Sequence, residues 1–133
     1  MFEKLFKIQN MKLKFEKDGK NPFFKSDYLT LDGLWSALQP ELEKEGLLVY
    51  HSTVNKEVTT TVVDIESGDT IVSSMPLPDN LDPQKLGSAV TYFKRYNLGQ
   101  IFNIMTDIDD DGNKAKPAVK KEATVQIDDD ILG

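Results

Sequence analysis

Between Leu47 and Met75 apolar and polar side chains alternate with a period of two, whereas on either side apolar residues recur every three to four positions. That change of period divides the chain into a central sheet and flanking helices. β-Branched residues dominate Leu47 to Val54, Val58 to Glu66 and Thr70 to Met75, which predicts three strands. The linkers Asn55-Lys56-Glu57 and Ser67-Gly68-Asp69 are short enough for hairpin loops, so the strands form an antiparallel meander with one face packed and the other partly wet. Helices must cover the packed face, and the fold class is α+β.

Residues 1 to 17 place Phe2, Leu5, Phe6 and Leu13 near one helical stripe, with Lys4, Lys7, Lys14 and Lys17 elsewhere on the turn, a basic amphipathic helix. Asp18-Gly19-Lys20-Asn21-Pro22 is turn chemistry, and Phe23 to Tyr28 reads as a loop. Thr30 suits an N-cap, Leu31, Leu34, Trp35, Leu38 and Leu42 follow at helical spacing, and Gly46 is a natural stop. Pro40 should kink that helix. After the break at Pro76 to Leu81, Asp82 caps a helix with Pro83 at its first position, running to about residue 105. Its buried stripe is Leu86, Val90, Phe93, Ile101 and Ile104, and a second face carries Gly87, Ser88, Thr91, Lys94, Arg95 and Leu98.

At 133 residues the chain is expected to form one domain with a real core. Little after Asp107 can build that core, so residues 1–112 are the expected domain and 113–133 a flexible, Lys- and Asp-rich tail with an acidic end. The absence of cysteine excludes a disulfide scaffold, a thiolate metal site and a cysteine nucleophile. No apolar run approaches a membrane span or a secretory signal, and the expectation is a soluble, cytoplasmic protein. The net charge of −6 is unevenly distributed. Residues 1 to 25 and 86 to 106 are locally positive, and the stretches between and after them are acidic. A polyanion can therefore bind locally despite the acidic total.

The stretch Gly87 to Tyr96 is the most suggestive chemically. Small residues admit a close backbone, the Ser88 and Thr91 hydroxyls can donate to phosphate oxygens, and Lys94 and Arg95, the chain's one arginine, supply charge further along. The bland alternative is a polar face that accommodates a neighbouring helix. Tyr92 and Tyr96 suit stacking on bases or packing on the sheet edge. Phe23 and Tyr28, flanked by Lys20 and Lys25, are further stacking candidates, and Phe24 suits either stacking or the core. Trp35, on the apolar stripe of its helix, reads as core rather than as a base-stacking platform, and His51 as a wet or hydrogen-bonded strand residue. Asp107, Asp109, Asp111 and Gly112 match the first half of a calcium loop, but Ala118 stands where a bidentate Glu is needed and Pro117 interrupts the exit helix. That cluster is a weak metal candidate, and no other cofactor is expected. No nucleotide-binding, zinc-hydrolase or nucleophile-elbow motif is present, so the reading is not an enzyme.

Three blocks, in order, resemble the Erf (essential recombination function) family of phage single-strand annealing proteins. Lys20-Asn21-Pro22-Phe23-Phe24-Lys25-Ser26 with Tyr28 is similar to its K-N-x-x-F-K-S-x-Y block. Leu38-Gln39-Pro40-Glu41-Leu42 followed by Gly46-Leu47 is similar to its P-x-L…G-L step. Gly87 to Leu98 followed by Asp109-Asp110-Asp111-Gly112-Asn113 is similar to its long G-S-A-[IV]-T-Y-x-[KR]-R-Y-x-L…D-D-D-G-N signature. The likeness covers residues 8 to 114, and Asn97 departs from it where a small residue is usual. The resemblance implies ATP-independent binding and annealing of single-stranded DNA in phage recombination, by a ring or filament of a sheet-and-helix fold. It implies backbone contacts from Lys94 and Arg95, hydroxyl donors at Ser88 and Thr91, and a second rim at Lys20 and Lys25. The acidic end Ile127 to Gly133 is similar in type to the tip of bacterial single-strand binding proteins, without their terminal Pro-Phe pair, which suggests a replication or recombination partner or electrostatic screening of the DNA groove; the alternative is a solubilising end. A protective single-strand binder without annealing activity and a small calcium-binding interaction domain are the alternatives.

Overall fold

A computed structural model gives the fold of residues 1–11, 19–21 and 26–106. The elements run α1 (Phe2–Gln9), β1 (Gly19–Asn21), β2 (Ser26–Tyr28), α2 (Leu31–Glu45), β3 (Leu47–Val54), β4 (Glu57–Asp64), β5 (Thr70–Pro76) and α3 (Pro83–Phe102). The meander is as the alternation predicts: β3, β4 and β5 pair antiparallel in sequence order. Its first turn is tighter than expected, because Glu57 already pairs with Val54 and only Asn55 and Lys56 turn the chain, both at positive φ. Two left-handed residues match the twist of the flanking strands.

Strand register sorts the sheet into two faces. Leu47, Val49 and His51 lie on the side of Val58, Thr60 and Val62, and of Ile71, Ser73 and Met75, and this side meets the helices. On the other side Leu48, Tyr50, Val54 and Val72 are exposed, although Thr61, between Tyr50 and Val72 in the register, is buried. Among the described residues nothing covers that face.

The capping signals place α2 and α3 as read from the sequence. The Thr30 hydroxyl accepts the Gly33 amide at 3.0 Å, and Gly46 ends α2 in the left-handed conformation. The helix continues through Pro40, which sits on its exposed side, where the freed carbonyl faces solvent. The Asp82 carboxylate accepts the Lys85 amide at 2.8 Å, with Pro83 next. Leu34, Leu38 and Leu42 of α2 join Leu98 and Phe102 of α3, Leu47, Val62, Leu29 and Ile8 in the main core. A smaller cluster of Val58, Leu77 and Phe93 lies under the first half of α3. Burying each leucine fully contributes roughly 1.5–3 kcal/mol.

Several expectations are corrected. α1 ends at Gln9, and its inward face is Met1, Leu5 and Ile8, leaving Phe2 and Phe6 exposed. An ion pair sets that rotation: Lys4 Nζ reaches the buried Asp64 carboxylate at 2.8 Å and holds it well below the usual carboxylate range. The segment read as a loop pairs instead, as β1 with β2. α3 stops at Phe102, because Asn103 turns left-handed and the Ile104 amide returns to the Gly99 carbonyl at 2.8 Å. On α3, Leu86 is exposed and Val90 and Ile101 are half-buried, whereas Leu98, assigned above to the polar face, is fully buried. The proposed tail and Asp107, Asp109 and Asp111 lie outside the described residues. No described helix is long and apolar enough to cross a membrane.

Candidate nucleic-acid interface

α3 crosses the inner sheet face with its first half standing proud. Gly87, Ser88, Thr91 and Tyr92 are exposed there, so two hydroxyls one turn apart face outward with no bulky side chain between them. Lys94 follows, half-buried, and among the described residues it makes no ion pair. Tyr96 is exposed and stacks on Tyr92, with ring centroids 6.1 Å apart and planes inclined by 11°. Ser88, Thr91, Lys94 and Tyr96 therefore share one accessible stretch of helix.

Arg95 does not. It points the same way as Ser88 and Tyr92, but the chain folds back after Asn103 and covers it, leaving Arg95 8% exposed. Its Nη1 donates to the Thr106 carbonyl at 3.4 Å, and its guanidinium carbon lies 5.2 Å from the centre of the Tyr92 ring. A planar cation held this way is not free to fork onto a phosphate. The same Thr106 carbonyl accepts the Leu29 amide at 2.8 Å. Leu29 follows β2 directly, so Arg95 and Leu29 together tie the β1–β2 pair to the end of α3. In that pair Lys20 lies opposite Asp27, and Tyr28 opposite Gly19. Phe23 and Lys25 lie outside the described residues.

The sequence reading missed a cleft where α2, β3 and α3 meet. Leu31, Asp32, Trp35, Val49, His51 and Lys94 line this opening of about 270 Å³. Trp35, expected in the core, is instead 37% exposed on its wall, because α2 turns Leu34 and Leu38 inward and leaves the indole at the rim. His51 is half-buried and its Nδ1 lies 2.8 Å from the Thr60 hydroxyl, the hydrogen-bonded strand residue that was expected. Burial, followed by the charge of Lys94, pushes the imidazole below its usual 6.5, so it is neutral at pH 7. Val49 and His51 share a face by strand alternation, which the sequence carries, but nothing local shows that Lys94 and Trp35 meet them.

No curated protein and no solved structure matches the chain. A protein-family model does, along residues 1–130, a range that spans all three blocks of the resemblance. The chain belongs to the ERF superfamily.

Proposed function

We propose that this protein binds single-stranded DNA and anneals complementary strands in phage recombination, without hydrolysing a nucleotide. The observation that carries the reading is membership of the ERF superfamily along nearly the whole chain. The exposed helix surface supports it: Ser88 and Thr91 can donate to phosphate oxygens, Lys94 neutralises a charge, and the Tyr92–Tyr96 pair offers a stacking surface. Lys20 and Lys25 are assigned a second rim, and Phe23 and Tyr28 the role of stacking on bases. Arg95 is assigned to positioning, since its buried guanidinium donates to the Thr106 carbonyl and lies over the Tyr92 ring.

Annealing needs phosphates held while bases stay open to an incoming strand. One subunit offers few cations, so the activity belongs to a homo-oligomer, a ring or filament along which a modest charge repeats. Residues 1–112 form the annealing domain, 113–133 a Lys- and Asp-rich tail whose acidic end contacts a replication or recombination protein, and the site of action is the cytoplasm of the bacterial host.

The test is annealing of two complementary fluorescent oligonucleotides without nucleotide, with the protein's mass measured in the same buffer. Faster annealing by a multimer is expected. Lys94→Ala should weaken strand binding evenly across sequences and reduce the salt slope by about one contact. Binding without faster annealing would replace the reading with a protective role, and absence of binding would remove DNA from it altogether.

A further inference from the structure

The cleft between α2, β3 and α3 has the makings of a base site. Resting on the reading of α3 as the strand-binding surface, we propose that the cleft takes one nucleobase of the bound single strand, with Trp35 as its stacking wall and Lys94 on the adjoining phosphate.

Five observations converge on this occupant. Trp35 is a large aromatic left 37% exposed next to fully buried Leu34 and Leu38, so its face is available to another ring. Every base has such a face, and stacking tolerates any sequence. Lys94 lines the cleft and sits one turn beyond Thr91, so a backbone followed along Ser88 and Thr91 arrives at the opening with a cation in reach. The other charged group of the rim is Asp32, which repels phosphate and accepts hydrogen bonds from exocyclic amino groups. A strand therefore enters with its phosphate on the α3 side and its base on the α2 side. The opening, about 270 Å³, lies just below the roughly 300–1,000 Å³ of sites for drug-sized ligands and has room for a base. The floor of Val49 and a neutral His51, already engaged by Thr60, adds no competing charge.

Trp35 is the only tryptophan in the chain, so its emission reports this site alone. The full chain is titrated with a mixed-sequence single strand and with an abasic deoxyribose-phosphate strand of equal length. The mixed strand should quench Trp35 emission and the abasic strand should not. Trp35→Leu should weaken binding of the mixed strand by about 5- to 150-fold, the loss of one stacked base, and leave the abasic strand unaffected. Trp35→Phe, which keeps a ring, should restore most of the affinity, and circular dichroism checks that each variant is folded. If the Leu variant unfolds, the contrast in quenching between the two strands decides alone. Salt-dependent binding of the mixed strand with unmoved emission would overturn the base site and leave strand binding standing. Failure of both strands to bind would overturn strand binding, and this inference with it.

Discussion

Asn97 is fully buried, and its side chain replaces solvent by donating to the Val58 carbonyl at 3.0 Å while accepting from the Ser73 hydroxyl at 3.0 Å. It pins α3 to β4 and β5. Asn97→Ala removes the donor from the buried Val58 carbonyl and leaves the Ser73 hydroxyl only its second acceptor, the Gln100 side-chain oxygen at 3.2 Å, and should cost about 1–3 kcal/mol in denaturant unfolding. Ser73→Ala should cost less in the Asn97→Ala background than alone, with a coupling of about 0.5–1 kcal/mol in the double-mutant cycle. His51 gives a second residue-level outcome. Its pKa is lowered in the folded state, chiefly by burial and then by Lys94, with Asp32 also on the cleft wall. Below the unfolded value of about 6.5 the unfolded chain takes up the proton more readily, so stability is full above that pH and falls as acid is added. Because His51 is the only histidine, the denaturation midpoint should drop between pH 7.5 and 5.5, and His51→Gln should flatten that drop.

At the scale of elements, the return of the chain after α3 is the most constrained feature. A side chain at Gly99 would place its first carbon 2.9 Å from the Ile104 carbonyl oxygen and 3.1 Å from the Thr106 methyl. Both belong to the strap that covers Arg95. Gly99→Ala should therefore push that strap away, cost about 1–3 kcal/mol, and speed amide exchange at Leu29, whose partner is the Thr106 carbonyl. Elements whose signals are local were legible: Thr30 and Gly46 bound α2, Asp82 and Pro83 start α3, and period-two alternation gives β3 to β5. Elements placed by distant partners were not. The rotation of α1 depends on Lys4 meeting Asp64, sixty residues away, and the true end of α3 depends on a left-handed Asn103.

For the molecule as a whole, the candidate site was half legible for the same reason. Ser88, Thr91 and Lys94 follow one another on one helix, so spacing alone places them together, although Arg95 shares that spacing and is lost to the strap. Trp35, His51 and Lys94 come from three elements, and only tertiary packing joins them. The architecture itself is two-layered, with helices on one side of a three-stranded sheet whose other side is bare among the described residues. That order of layers has a consequence in time. A ribosome completes the meander before it makes the helix that covers it, and the stretch from Pro76 to the end of α3 takes roughly one to five seconds at about 5–20 residues per second. Meanwhile the inner face has only α1 and α2 to shelter it. Thr60, Ser73 and His51 on that face are side chains that water can satisfy during the wait, which blunts the sheet's tendency to pair with another nascent chain. The arrival of α3 then takes water away: Thr60 and His51 are left to each other, and for Ser73 the helix carries Asn97 in exchange.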